Sequence, residues 1–259
     1  MSAWIDSHCH LQLGDSVEVD SGGAVAETVA RAVAAGVERM VCIGTDLATS
    51  GQAVELAAAH PQVWATVGLH PHDAARFEAE WDGLRQLAGA ERVVGVGETG
   101  FDLYYRHSEP GAQERSFRAH LRLAREAGLA LVIHSRDAWD ETFSVLESEG
   151  VPPRTVFHCF TGGPAEAARA LALGTWLSFS GIVSFRNADD LRAAAACTPS
   201  GRLLVETDSP FLAPVPYRGK PNEPAYLPAV GAAVAAARSS TPAEVAEASR
   251  RNALSVFWP

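Results

Sequence analysis

Gly128-Leu129-Ala130-Leu131-Val132-Ile133-His134 is a run of five apolar residues set between a helix-stopping glycine and a histidine. A strand with one wet face alternates polar and apolar residues, whereas an unbroken apolar run suits a parallel strand buried on both faces. Upstream, residues 113–127 place Phe117, Leu121 and Ala124 near a 3.6-residue period, continued by Gly128, which marks an amphipathic helix closed by glycine. Helix, glycine, buried strand, polar residue: the same unit recurs along the whole chain. Strands are expected at 4–11, 39–45, 63–69, 93–98, 129–134, 155–158, 176–182 and 203–208. Helices are expected at 24–35, 47–59, 81–90, 113–127, 138–149, 164–173, 189–196 and 226–237, with an extra one at 242–257. Gly36, Gly150 and Gly174 stop helices as Gly128 does.

Eight strand–helix units in 259 residues match a (β/α)8 TIM-type α/β barrel, which takes about 250 residues. The expectation is a single domain over residues 1–259 with an extra C-terminal helix, since no linker or composition shift divides the chain. A doubly wound open sheet competes, but it calls for a glycine-rich turn after the first strand. The chain has His8-Cys9-His10-Leu11-Gln12 there.

Composition narrows the function classes. The longest weakly polar run, 227–237, has 11 residues and contains Pro228 and Gly231. A membrane span needs about 18. No basic segment leads into an apolar stretch at the start, and the four cysteines are too few for a disulfide framework. A soluble, cytoplasmic protein is expected, with no membrane and no obligate protein partner. Lysine plus arginine number 21 against 31 acidic residues, a net charge of −10. Such a chain does not coat duplex DNA through counterion release, although it can grip a strand at one local site.

Polar residues gather at the carboxyl ends of the expected strands, the end that carries the active site of a barrel. In the first strand His8 and His10 share a face and can chelate one divalent ion; two exposed loop histidines would look the same. Asp6 is expected on that face, orienting a histidine. Alternation puts Val94, Val96 and Glu98 together, with Glu98 pointing inward, where a carboxylate needs a cation or a proton. Taken singly, Glu98 also suits a cap on the next segment. His134 and His158 each end a strand; either alone serves as well as a hydrogen-bonded core residue. Asp208, in Glu206-Thr207-Asp208-Ser209-Pro210, can ligate a metal, take a proton from water, or cap a turn. Together His8, His10, Glu98, His134, His158 and Asp208 supply four imidazoles and two carboxylates, enough for two divalent ions sharing Glu98. A carbamylated lysine cannot take the bridging place, because the sole lysine, Lys220, lies in the loop after the last strand.

The remaining histidines divide. His70 and His72, in Gly68-Leu69-His70-Pro71-His72, are expected to touch substrate or support the ligands. His120 falls on an apolar helix face and His60 at a helix end; these two and His107, in a loop, carry no functional expectation. Cys42 and Cys159 are expected to be inert, with Cys159 facing away from His158. Arg106, Arg136, Arg218 and Lys220 follow strands four, five and eight, and place positive charge at the mouth; any one of them alone reads as solvated loop charge. With Tyr104, Tyr105 and Tyr217 available to stack on bases, an anionic, phosphate-bearing substrate is expected.

These motifs resemble the TatD family of metal-dependent deoxyribonucleases, among the metal-dependent hydrolase barrels. The match runs from Ile5-Asp6-Ser7-His8-Cys9-His10-Leu11 through Gly68-Leu69-His70-Pro71-His72, Gly97-Glu98-Thr99-Gly100-Phe101-Asp102 and Ile133-His134-Ser135-Arg136. It continues through Phe157-His158-Cys159-Phe160-Thr161-Gly162, Glu206-Thr207-Asp208-Ser209-Pro210 and Arg218-Gly219-Lys220-Pro221-Asn222-Glu223-Pro224, ending near Arg251-Asn252-Ala253. Phe101 stands where the family usually has leucine and Thr161 where serine is commoner; neither change removes a ligand. The resemblance implies metal ligands at His8, His10, Glu98, His134, His158 and Asp208, with Asp208 and Glu98 catalytic. It also implies hydrolysis of DNA phosphodiesters, often from the 3′ end of single strands, by water activated between two Mg²⁺, Mn²⁺ or Zn²⁺ ions. His72, Arg136, Arg106, Arg218 and Lys220 would then contact the DNA or oligonucleotide. The alternative is a two-metal hydrolase of a small ester, lactone or amide, including D-aminoacyl-tRNA esters, which the same activated water attacks. A non-catalytic scaffold is the third reading; the intact set of six donors argues against it.

Overall fold

The computed structural model describes residues 3–13 and 22–259. Eight parallel strands follow one another in a single sheet in chain order. They are β1 (Trp4–Cys9), β2 (Val37–Ile43), β3 (Val63–Val67), β4 (Val93–Asp102), β5 (Ala130–Arg136), β6 (Thr155–Phe157), β7 (Trp176–Phe179) and β8 (Leu203–Val205). Helices α1 (Gly22–Ala34), α2 (Leu47–Ala59), α3 (Phe77–Leu87), α4 (Pro110–Ala127), α5 (Trp139–Glu149), α6 (Pro164–Ala172), α7 (Asp189–Cys197) and α8 (Leu227–Ala237) connect or follow them. The extra helix, α9, spans Pro242–Phe257. This is a TIM-type barrel.

The sheet closes on itself at the carboxyl end. Asp208 N donates to His8 O at 2.9 Å and His10 N to Ser209 O at 2.7 Å, joining β1 to the segment after β8. Inside, Ser7 Oγ meets Ser178 Oγ at 2.8 Å across the lumen. Alternate strand residues divide between two apolar layers, the period-two signature of a packed barrel. Ile5, Val41, Ile43, Val94, Val132 and Leu204 fill the interior, whereas Met40, Cys42, Val67, Ile133 and Val205 pack outward with the helices. Ala253, Val256 and Phe257 of α9 join the inner layer. They plug the amino end and leave the carboxyl end open. Among the described residues no helix is long and apolar enough to cross a membrane.

Boundaries differ from the sequence expectation where tertiary contacts intervene. β4 and β5 continue to Asp102 and Arg136, because pairing persists through Gly100↔His134 and Asp102↔Arg136. β8 stops at Val205, and the chain then turns toward β1. α3 begins at Phe77 rather than residue 81, with the Phe77 ring 5.0 Å from that of Trp81.

Register shifts occur at several places along β1 and β4, and two of them bear on the expected faces. Ala65↔Val93 is followed by Thr66↔Gly95, so β4 carries an extra residue, and Val94 faces the interior while Val96 packs outward. Val94, Val96 and Glu98 therefore do not share a face. In β1 the register also slips between Asp6 and Cys9. Asp6 consequently turns away from the imidazoles: its carboxylate accepts from Thr207 N at 2.9 Å, Thr207 Oγ1 at 2.5 Å and the backbone N of His8 at 3.3 Å. Asp6 latches β1 to the chain beyond β8 and orients no histidine ring. Burial pushes its carboxyl up to about 7, opposed by the Thr207 and His8 donors.

Candidate metal centre

The open end of the barrel holds a cavity of about 790 Å³, with Glu98 and the histidines at its floor. Glu98 lies in β4 between two glycines, Gly97 at φ 126° and Gly100 at φ 137°. These angles are costly for any residue with a Cβ. A Cβ on Gly97 would also strike the Val132 carbonyl oxygen, and one on Gly100 the His134 carbonyl oxygen. The glycines thus let β4 lie against β5 closely enough for Glu98 to reach His134.

Two groups of donors surround that carboxylate. On one side, His8 Nε2 lies 3.2 Å from His10 Nε2, 3.4 Å from Glu98 Oε2 and 3.6 Å from Asp208 Oδ1. His10 Nε2 is 3.4 Å from Asp208 Oδ1 and 3.9 Å from Glu98 Oε2. On the other side, Glu98 Oε1 lies 2.8 Å from His134 Nδ1 and 2.7 Å from His158 Nε2, which are 3.3 Å apart. Four donors held about 2.0–2.2 Å from a tetrahedral ion stand roughly 3.3–3.6 Å from one another. The separations in the first group run from 3.2 to 3.9 Å, around that spacing, and the two oxygens of Glu98 belong to different groups.

Electrostatics point the same way. Glu98, Asp208, Glu206 and Asp102 are all buried. Among the described residues none of these carboxylates pairs with a lysine or arginine; their neighbours are histidines. Asp208 Oδ1 and Glu206 Oε2 are buried without a hydrogen-bond partner. Burial opposes the charge of Glu98, yet His158, His70 and His134 outweigh it and hold the carboxyl well below its usual range. Burial also works against a charged His158, but Glu98 and Glu206 overcome it and raise its pKa well above the ordinary value. His8 goes the other way, lowered by burial and then by His158. A buried cluster of carboxylates and imidazoles with no lysine or arginine among its partners suits metal cations.

The structure therefore brings His8, His10, Glu98, His134, His158 and Asp208 together. Asp208 reaches in from φ 55°, a left-handed conformation uncommon outside glycine and asparagine and found at sites where geometry outranks local strain. His72 and Arg136 line the cavity as well. Arg106, Arg218 and Lys220 do not line it. Arg106 Nε folds back onto the Leu103 carbonyl at 2.9 Å, the Arg218 guanidinium sits 3.8 Å from the Phe185 ring centre, and Lys220 is exposed. Tyr217 is stacked on Tyr226 at 3.8 Å, away from the cavity lining. Cys159 does line it, because β6 ends at Phe157 and no pleat turns the thiol away; burial pushes that thiol well above its usual range.

Three residues have more prominent places than their sequence context implied. His70 Nε2 stands 3.4 Å from Glu98 Oε1, and its Nδ1 accepts from His72 N at 3.1 Å. Burial lowers its pKa to about 4. Glu206 Oε1 accepts from Cys159 N at 2.7 Å and faces His158 Nδ1 at 3.2 Å. Asp102 Oδ2 lies 2.9 Å from His72 Nε2 and 3.5 Å from His134 Nε2, while Oδ1 accepts from Tyr104 N and Tyr105 N. Glu206 and Asp102 sit inside the motifs that carry the resemblance, two residues before Asp208 and four after Glu98. Position in the motif was the available signal; partner identity was not. His120, by contrast, is a core residue: its Nδ1 donates to Ser116 O at 2.7 Å and its Nε2 accepts from Leu69 N at 3.1 Å.

Comparison with known proteins agrees with this architecture. A profile described as TatD related DNase matches residues 5–258. An uncharacterized metal-dependent hydrolase of Bacillus subtilis, YabD, is 36% identical over 256 residues, covering 97% of this chain and 98% of its own. The 3′-5′ ssDNA/RNA exonuclease TatD of Citrobacter rodentium is 38% identical over 238 residues, covering 89% of this chain and 90% of its own. The crystal structure of the Escherichia coli TatD homologue YjjV superposes with a TM-score of 0.91 at 28% identity, over 98% of this chain and 97% of that one. The chain belongs to the TatD related DNase family of metal-dependent hydrolases.

Proposed function

We propose that this protein is a metal-dependent deoxyribonuclease, a 3′-to-5′ exonuclease on single strands that works with two divalent ions. The observation that carries the reading is the division of Glu98, whose Oε2 faces His8 and His10 while Oε1 faces His134 and His158. His8, His10, Glu98 and Asp208 would hold one ion; Glu98, His134 and His158 would hold the other. Bound there, Mg²⁺, Mn²⁺ or Zn²⁺ supplies positive charge to the transferring phosphoryl group and makes water a nucleophile near neutral pH. Asp208 would take the proton from the attacking water. His72, held by Asp102 at 2.9 Å, and Arg136 face the same cavity and would orient the phosphate. Gripping one strand end at a deep floor accounts for a net charge of −10, where a broad basic surface would be needed to bind duplex. The exonuclease-named relatives support the substrate class.

The test is cleavage of a 5′-labelled single-stranded oligonucleotide by protein that has been chelated and then given Mg²⁺, Mn²⁺ or Zn²⁺. A ladder that shortens from the 3′ end, needs metal and vanishes in Asp208→Ala supports the reading. Cleavage of aminoacyl or small esters with inert oligonucleotides would replace it. Glu98→Ala should lower the bound metal; unchanged occupancy at both places removes the bridge.

A further inference from the structure

The rim of the cavity carries a cation held by aromatic rings. Tyr104 and Tyr105 follow β4, are 59% and 51% exposed, and pack edge to face with ring centres 4.8 Å apart. The Arg136 guanidinium, from the end of β5, lies 4.4 Å from the Tyr104 ring centre and 4.7 Å from that of Tyr105. His107 lies parallel to Tyr105, 9° between planes and 5.7 Å between centroids. Among the described residues the Arg136 guanidinium has no carboxylate partner and no hydrogen bond, unlike Arg76, Arg118 and Arg192 elsewhere on the surface. Its donors remain free, its guanidinium lies against two rings, and both Arg136 and Tyr105 line the cavity that His134 also lines.

A planar guanidinium with free donors suits a phosphate, and exposed rings beside it suit the face of an unpaired base. A paired base has no exposed face except at a duplex end. We propose that Tyr104, Tyr105 and Arg136 form a subsite for one unpaired nucleotide adjoining the scissile bond, with its base on the tyrosines and its phosphate on the guanidinium. The subsite rests on the nuclease reading and deepens it: selection for single strands resides in this rim, where the rings recognise a base face that duplex withholds. No base edge is read, so the subsite is tolerant of sequence.

The experiment crosses a protein change with a substrate change. Single-stranded oligonucleotides carrying one abasic nucleotide, walked through the last four positions of the 3′ end, are compared with the unmodified strand on native metal-loaded enzyme and on Tyr104→Ala/Tyr105→Ala. At one position the abasic substrate should lose roughly ten-fold in kcat/KM on the native enzyme, chiefly through KM. The double variant should lose a similar factor on the normal strand and nothing further on the abasic one. Tyr105→Phe, which keeps the ring, should keep the abasic penalty that the double variant loses. Native enzyme that cleaves every abasic strand as fast as the normal one overturns the subsite while leaving the nuclease reading intact. Losses from the two changes that multiply independently overturn it too. If the native enzyme cleaves no oligonucleotide, the nuclease reading fails and the subsite with it. Because the abasic substrates probe the unmutated protein, misfolding of the double variant does not shield the proposal.

Discussion

The imidazoles of His8 and His158 lie face to face, with centroids 3.8 Å apart and planes within 12° of parallel. They come from β1 and the end of β6, which are not neighbours in the sheet, so the stack spans the barrel floor and sets the two donor groups side by side. Two charged imidazolium rings would repel at this distance. Burial and then His158 lower the pKa of His8, while Glu98 and Glu206 overcome burial and raise that of His158. Glu206, 3.2 Å from His158 Nδ1, fixes which nitrogen of His158 points at Glu98.

Glu206→Gln keeps the size of that side chain and removes its charge. Metal affinity or activity should fall about 10–100-fold, the usual cost of losing a carboxylate behind a ligating histidine. Calorimetric metal titration beside the kinetics checks it. Native-like affinity would show that Glu206 serves only the Cys159 amide.

Chelation should destabilise the fold, because four buried carboxylates then keep only histidines as partners. Metal at about 100 times its Kd contributes roughly 2.7 kcal/mol per site. For a chain of this size that corresponds to a Tm roughly 5–10 °C lower for each site emptied by chelation. Differential scanning calorimetry with and without added Zn²⁺ or Mn²⁺ measures it; identical melting curves would argue that no ion binds the folded chain.

Asp6 closes the barrel through Thr207. Asp6→Ala leaves the buried Thr207 N and Oγ1 without an acceptor and should cost about 2–3 kcal/mol, while Asp6→Asn, which keeps one oxygen, costs less. Urea midpoints rank the three proteins. An Ala variant as stable as the parent would show that the β1–β8 closure holds without this latch.

His120 sets a pH dependence away from the metal groups. Burial lowers its pKa from 6.5 to about 4, partly offset by Ser116 O. The unfolded chain therefore takes up the proton first, and stability is fully present above pH 6.5 and declines as pH falls toward 4. The loss is on the order of 3 kcal/mol. In His120→Gln the decline should be shallower by that amount, so the gap in urea midpoint between parent and variant narrows on acidification. A gap independent of pH would mean that His120 does not titrate differently in the two states.

Much of this molecule is legible in one dimension. Leu129 to Ile133 reads as a doubly buried strand because five apolar side chains in succession leave no wet face, and β5 takes that run up from Ala130. Repeating that unit eight times implied the barrel, and the carboxyl-end rule pointed to the polar strand ends as the place for chemistry. His8, His10, Glu98, His134, His158 and Asp208 were visible as residues, each ordinary until the strands were closed into a ring.

What the sequence did not contain was register. A slip of one residue in β1 turned Asp6 from the imidazoles to Thr207, and an extra residue in β4 set Val94 and Val96 on opposite faces. Alternation is a local rule, and a bulge forms only when a neighbouring strand asks for it. Pairings between distant residues were equally hidden: Glu206 with His158, Asp102 with His72, Arg136 with the two tyrosines. The chain by itself determined the strand–helix repeat and the kinds of donor at the open end, because periodicity and residue chemistry are written along it. Only the closed barrel decided which oxygen of Glu98 faces which histidines, because that depends on distances between strands dozens of residues apart.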